Sequence, residues 1–193
     1  MLEWLKTLAG ERSPLLNLWL NVGSVSGILF VVGAFQNKGP FEVLIAFTQW
    51  LRLPEGIGNA ITGIVDWLNE EGSVLAVPIA GLIGLALGIL AWSKITDTIP
   101  TAAAAGTFWV LTMIANQIGY TGVSWLWTLG TASAIIFFWG IHQYSGTNVG
   151  ARYGWSALGS GAAIGVIQLA ATVIILPVNI LGAFFLAHDK PRA

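Results

Sequence analysis

The stretch from Ser73 to Trp92, SVLAVPIAGLIGLALGILAW, decides the class of this protein. It contains no charged residue, and ten of its residues are Val, Leu or Ile. A helix of about 20 residues spans the hydrocarbon core of a bilayer, which is about 30 Å thick, because each residue rises about 1.5 Å. On an insertion scale these aliphatic residues contribute roughly −3 to −6 kcal/mol. The stretch is therefore predicted to be a membrane-spanning helix.

The rest of the chain has the same character. Of its 193 residues, 55% are hydrophobic and 9% are charged, with a mean hydropathy of +0.77. A soluble domain carries about 25% charged residues, so the polar surface here is too small to cover a soluble globule. Three more uncharged stretches are long enough to cross a membrane: 15–35, 99–118 and 123–143. We predict one all-α domain over residues 1–193, a polytopic integral membrane helix bundle with four clear spans.

A fifth apolar stretch, from Gly154 to Ala187, is too long for one straight crossing, since as a single helix it would measure about 51 Å. Proline removes a backbone donor, so we expect a break near Pro177. Two forms remain open: a span over 154–176 followed by an interfacial helix, or a re-entrant hairpin. With a cytoplasmic N-terminus, the returning form puts six of the eight basic residues inside. The positive-inside rule therefore favours a cytoplasmic C-terminus as well.

The connection between the first two spans contains two amphipathic segments separated by Pro54. In the second segment, apolar residues recur at helical spacing opposite a polar face. These apolar residues are Ile57, Ile61, Ile64, Val65 and Leu68. We predict that residues 41–70 form two amphipathic interfacial helices on the external side of the membrane.

Glycine pairs at four-residue spacing are the most specific motif in the chain. Each pair places two glycines on one helix face, where another backbone can approach closely. The pairs predict helix-packing faces, which are more typical of such motifs than a smooth pore lining. The six residues are Gly23, Gly27, Gly84, Gly88, Gly161 and Gly165.

Few polar side chains fall inside the apolar stretches. Four of them form a possible polar lining: Asn116, Gln117, Gln168 and Asn179. An amide in a span can join two helices by a hydrogen bond or contact a permeant solute. Joining helices is the more common role, and lining a path is the alternative.

The residues that carry membrane chemistry are scarce. No Asp, Glu, Lys or Arg lies within a predicted span, and the chain has no cysteine. Ion-coupled transport is therefore disfavoured, and thiolate chemistry is excluded. His142 and His188 fall near the predicted cytoplasmic surface, where a metal, haem or pigment could be bound. A histidine at a span end is more often an interfacial polar residue, so we predict no metal and no cofactor.

We recognise no family from these residues, and the sequence contains no catalytic motif and carries a net charge of −1. We expect no enzyme activity and no nucleic-acid binding. The favoured hypothesis is a structural or accessory subunit of a larger membrane assembly, with lipid and other membrane subunits or copies of itself as partners. The alternative is a passive channel or facilitator for a small neutral solute. A membrane enzyme acting on lipid has no set of residues to support it.

Overall fold

The computed structural model describes residues 14–92, 99–146, 159, 163, 165–177 and 180, and the regular structure among them is entirely helical. The all-α prediction is confirmed. Helices lie at all four positions where the sequence predicts a span. In chain order the elements are α1 (Pro14–Gln36), α2 (Pro40–Trp50), α3 (Glu55–Trp67), a π-helical turn (Leu68–Gly72), α4 (Ser73–Trp92), α5 (Ile99–Ile118), α6 (Gly122–Gly146) and α7 (Gly165–Pro177).

Length and hydropathy identify one or two candidate spans among the described residues. Asn17–Gln36 in α1 is both long and apolar enough to cross a membrane, with a mean hydropathy of 1.8. The pair Glu55–Glu70 and Leu75–Ala86 meets the same criteria together but is bent by 105°. Ala103–Ile118 and Gly165–Pro177 are shorter apolar helices. The number of crossings in the four-span bundle stays a prediction.

Helix α5 lies at the centre of the fold and packs against α1, α4 and α6. Its small side chains let the three neighbouring helices approach closely on different sides. Larger residues of α5, such as Leu111, complete an apolar core with Phe41, Leu68 and Val77. The buried residues of α5 are Ala103, Ala105, Gly106, Thr107, Val110, Leu111, Thr112, Ile114 and Ala115.

Helices α1 and α5 meet backbone to backbone. A Cβ added to Gly23 would lie 2.5 Å from the Cα of Gly106 and 2.8 Å from its carbonyl oxygen. The two helices run parallel, because contacts advance in the same direction along both. Trp19 hydrogen-bonds to Thr107, and Gly27 lies against Trp109.

Helix α6 returns antiparallel to α5 after a short turn. Gly119 and Tyr120 have φ angles of +84° and +48°, in the left-handed region. The N–H of Tyr120 donates to the carbonyl of Ala115 at 2.7 Å, so the turn satisfies a carbonyl at the end of α5.

Helix α7 runs antiparallel to α1. Ser24 of α1 hydrogen-bonds to Val173 and Leu176 of α7. One turn further along α1, Gly27 packs against Trp109, and Trp109 bonds to Leu169, which comes earlier in α7. With a cytoplasmic N-terminus, α1 runs outward and α7 therefore runs inward. The sequence predicts the opposite direction, outward, for a span over 154–176. Pro177 is the last residue described in α7, and the bond between Ser24 and Val173 holds this part of α7 against α1.

Two helices occupy the segment predicted to be external. Helix α2 starts at Pro40, and its Glu42 carboxylate accepts a hydrogen bond from the N–H of Gly39 at 3.3 Å. Pro54 separates α2 from α3, as the sequence predicts. The π-helical turn was not predicted. It forms the corner between α3 and α4, and its Leu68 is buried in the core.

Substitution of Gly23 by alanine should separate α1 from α5, since the added methyl group meets backbone atoms that no rotamer change can move. We expect Gly23→Ala to lower the free energy of unfolding by about 1–3 kcal/mol, as overpacking typically does. Unfolding by SDS in mild detergent micelles, followed by tryptophan fluorescence, measures this loss.

Gly63→Ala is the matched control, because Gly63 lies on the exposed side of helix α3 with no described atom within 4 Å of an added Cβ. Alanine has the higher helix propensity by about 1 kcal/mol, so this variant should be neutral or more stable. Equal losses in the two variants would contradict the close contact between α1 and α5.

Candidate functional site

Two indole N–H groups join helices through the interior. Trp19 Nε1 donates to Thr107 Oγ1 at 3.0 Å and links α1 to α5. Trp109 Nε1 donates to the carbonyl of Leu169 at 2.9 Å and links α5 to α7. The Thr107 hydroxyl in turn donates to the carbonyl of Ala103 at 2.8 Å. Both indoles therefore fill space against small residues and also satisfy their polar atom.

Ser24 compensates for the backbone donor that Pro177 lacks in α7. A residue at position 177 would normally donate its N–H to the carbonyl of Val173, but Pro177 has no N–H. The hydroxyl of Ser24 donates to that carbonyl at 2.9 Å and accepts the N–H of Leu176 at 3.1 Å. Ser24 has no exposed surface, so its hydroxyl supplies the hydrogen bonds that water would make at an exposed site.

Other buried hydroxyls bond within their own helices. Most donate to the carbonyl four residues before them, and Thr48 and Ser124 donate to the carbonyl three residues before; both arrangements satisfy a hydroxyl without a partner helix. Among the described residues, no buried side-chain nitrogen or oxygen lacks a partner. This interior therefore meets the requirement of a helix in lipid, where each polar group has to be satisfied internally. The residues that bond in this way include Ser26, Thr112, Thr128 and Thr172.

Three of the six predicted packing glycines lie at contacts between helices. Gly23 lies on Gly106, and a Cβ on Gly27 would be 3.0 Å from both Trp109 and Val173. A Cβ on Gly84 would clash with the side chain of Thr107. Thr107 is held by the hydrogen bonds described above, so it has little freedom to move away.

The other three packing glycines are less fully described. Gly165 is buried in α7. Gly161 lies outside the described residues, and for Gly88 only its place in α4 is described. Gly81 was not predicted, although a Cβ there would clash with the ring of Trp127. Its spacing to Gly84 is three residues, so a search for pairs at four-residue spacing passes over it.

The described members of the predicted polar lining, Asn116, Gln117 and Gln168, lie at different levels of the bundle. Asn116 is exposed at the end of α5, and Gln117 donates from Nε2 to Asn69 Oδ1 at 3.3 Å. Gln168 is half-buried in α7 beside Leu169, at the level of Trp109. That level is about two helical turns, or about 12 Å, from Gln117. Asn179 lies outside the described residues.

Tyr120 also lies at this end of α5. Its hydroxyl donates to the carbonyl of Thr112 at 3.4 Å, and its ring contacts Trp125 with centroids 4.8 Å apart. Burial raises the pKa of the Tyr120 phenol, so it stays protonated well above neutral pH.

The histidine predictions stay untested. His142 belongs to α6, but its side chain lies outside the described residues, as does His188. Within the described part of the chain, no three His, Cys, Asp or Glu residues come together where they could hold a metal ion.

Sequence reasoning missed Ser24, although a signal was present. A proline within an apolar stretch frees the carbonyl four residues before it, and a nearby buried hydroxyl can take the place of the lost donor. Ser24 stands next to Gly23, on a helix face already expected to make close contact. The sequence does not show, however, that α7 is the helix that meets this face.

Comparison with known proteins gave no match. No family model fits the chain, and no curated protein or solved structure is significantly similar to it. Function therefore has to be inferred from the contacts and surfaces of this chain alone.

Removal of the Ser24 hydroxyl should weaken the attachment of α7. We expect Ser24→Ala to lower the free energy of unfolding by about 1 kcal/mol, because the Val173 carbonyl loses its donor in a buried place. In a Pro177→Ala background, the alanine at that position can supply an N–H to the same carbonyl, so the loss should shrink.

A double-mutant cycle in detergent micelles measures this coupling. Ser26→Ala is the matched control, since the Ser26 hydroxyl bonds only within its own helix, to the carbonyl of Val22 at 2.9 Å. If Ser24→Ala costs the same in both backgrounds, the compensation of Pro177 by Ser24 is wrong.

Proposed function

We propose that this chain is an integral membrane protein that serves as a structural or accessory subunit of a larger membrane assembly. In this proposal α1, α4, α5 and α6 cross the bilayer, with the N- and C-termini in the cytoplasm. The protein works through helix packing, and its partners are lipid and neighbouring subunits or copies of itself.

The distribution of charge supports a membrane location. Within the described part of the chain, every charged residue lies between positions 38 and 71. The long helices α1, α4, α5 and α6 and the shorter α7 contain none. A charge at the centre of a span costs about 2.5–3.5 kcal/mol on the insertion scale, whereas a water-soluble surface is rich in charge. The uncharged long helices therefore fit the centre of a membrane and not a water-soluble surface.

The outer faces of the helices support the same location. Leu126 on α6 is 75% exposed, and α1, α4, α6 and α7 each show large aliphatic side chains to their surroundings. A soluble protein of this size rarely exposes such continuous apolar surface. Examples from four helices are Leu15, Leu18, Leu75, Leu82, Leu85, Leu126, Leu129, Val166 and Ile167.

Gly130 carries the proposal of an assembly. It lies within α6 on the exposed side, near Leu126 and Ser133, and no described atom would touch a Cβ placed there. A glycine inside a helix costs about 1 kcal/mol relative to alanine, and contacts within the described chain do not account for it. A glycine at this position would let a helix from a neighbouring subunit approach the α6 backbone closely.

The channel alternative has less support. The described amides that could line a path lie at two levels, and Gln117 is bonded to Asn69. Trp19, Trp109 and Trp127 occupy contacts between helices, where they pack against glycine and threonine. We therefore propose the structural role alone.

Native mass measurement of the protein extracted in mild detergent tests the proposal. We expect the wild type to migrate as a complex larger than one 20.5 kDa chain. Gly130→Leu should shift the population to smaller species at unchanged helix content, because the larger side chain keeps the neighbouring helix away.

Ala86→Leu provides the control, since Ala86 is exposed on α4 and should face lipid. This variant should keep the wild-type mass. A monodisperse wild-type monomer, or a Gly130→Leu complex that forms as well as the wild type, would count against the assembly.

A further inference from the structure

Helix α3 presents three surfaces where an ordinary amphipathic helix has two. One surface packs on the core through Ile61 and Val65, and Leu68 in the π-helical turn continues it. A second surface is polar, and at 100° per residue its members fall within about 60° of one another. The polar residues are Glu55, Asn59, Thr62 and Asp66.

The third surface of α3 is apolar and exposed. It comprises Ile57, Ile64 and Trp67, of which Ile64 is 51% exposed. On the helical wheel these residues lie beside the core-facing sector and roughly opposite the polar sector. In a soluble protein this third surface would normally be polar, because only the core-facing stripe of a surface helix is apolar.

Helix α2 and its connection to α3 add to this exposed apolar surface. Phe47 and Trp50 are exposed and stacked, with ring centroids 5.9 Å apart, and Trp50 is 75% exposed. Leu51 and Leu53 in the connection are exposed as well. Exposed tryptophan is typical of the membrane interface, where the apolar ring and the N–H each find a suitable environment.

The orientation of α3 fits the plane of a membrane. The axes of α3 and α4 differ by 105°, with the π-helical turn at the corner. If α4 crosses the bilayer, α3 lies nearly parallel to the bilayer surface. A helix in that position can insert one side about 5–10 Å into the boundary of headgroups and acyl chains while the other side stays in water.

Charge indicates which lipid suits this surface. Residues 38–71 include two basic residues, Lys38 and Arg52, against five acidic ones, a net charge of −3. Basic clusters bind anionic leaflets, so an acidic segment should be repelled by them. The acidic residues are Glu42, Glu55, Asp66, Glu70 and Glu71.

We infer that α2 and α3 form an interfacial platform, defined as residues 40–67, whose exposed apolar side chains insert among zwitterionic lipids of the outer leaflet. The polar sector of α3 faces water. The inference rests on the proposed membrane location, and it adds a specific lipid-binding surface and a lipid class to it. The platform fixes the depth of the bundle in the bilayer.

Spin labels at single cysteines test the depth of the platform, and the chain suits this method because it contains no cysteine. The variants are Ile64→Cys on the apolar sector, Asn59→Cys on the polar sector and Leu82→Cys on the outer face of α4. In phosphatidylcholine vesicles, the ratio of collisions with oxygen to collisions with a nickel chelate should be several-fold higher at positions 64 and 82 than at position 59.

The outcomes separate this inference from the proposed function. If position 82 is in lipid but position 64 is in water, the platform is wrong and the membrane location stands. If position 64 is reached by neither reagent, protein covers the surface, and the platform is again wrong. If position 82 is in water, both proposals fail.

The lipid class is tested with a fluorophore on Ile64→Cys. Spin-labelled phosphatidylcholine should quench it more than spin-labelled phosphatidylserine at the same mole fraction. Adding Asp66→Asn and Glu70→Gln should reduce the difference, because these changes remove negative charge beside the surface. Equal quenching by the two lipids in the original variant would overturn the preference for zwitterionic lipid.

Discussion

Direct backbone contact between Gly23 and Gly106 sets the distance between α1 and α5, and the other contacts of the bundle depend on that distance. Trp19, one turn before Gly23, reaches Thr107 only because the two helices are this close. Ser24, the next residue, meets α7 and satisfies the carbonyl that Pro177 leaves without a donor. Shape and hydrogen bonds thus hold three helices together without ion pairs. Such contacts keep their strength in lipid, where apolar side chains gain little by leaving their surroundings.

Charge divides the described chain into two parts with different surroundings. Residues 38–71 hold all of its charged side chains, and the helices on either side hold none. The same segment contains α2 and α3, which lie against one end of the bundle, with α3 turned by 105° from α4. A change in side-chain chemistry and a change in helix direction therefore coincide. This coincidence is the physical basis for placing the long helices in the hydrocarbon layer and the platform at its edge.

The sequence predicted the helices well, because an uncharged apolar stretch bounded by proline, glycine or polar residues has few other structures open to it. The predicted spans 73–92 and 99–118 have the bounds of α4 and α5. The sequence could not show which helix each glycine would meet, since spacing defines a face and not the partner of that face. The direction of α7 was missed for a related reason. A proline such as Pro177 predicts a break in a helix but not the direction in which that helix runs through the bundle.

Candidate residues were harder to predict than elements. Asn116, Gln117 and Gln168 were grouped because each is an amide in an apolar stretch, yet depth along the helices separates Gln117 from Gln168. Ser24 was missed because its role depends on a residue 153 positions away in sequence, Pro177. Contacts of that kind depend on tertiary packing, which periodicity does not encode.

Photolabelling from a phospholipid with a diazirine at the end of its acyl chain tests most directly whether lipid surrounds the long helices. After activation in native membranes, mass spectrometry of the digested protein locates the adducts. We predict adducts on the outward residues of α4 and α6, such as Leu82, Leu85 and Leu129, and none on Asn59 or Thr62. A chain that carries no adducts on α4 and α6, while other membrane proteins in the sample are labelled, would contradict the account.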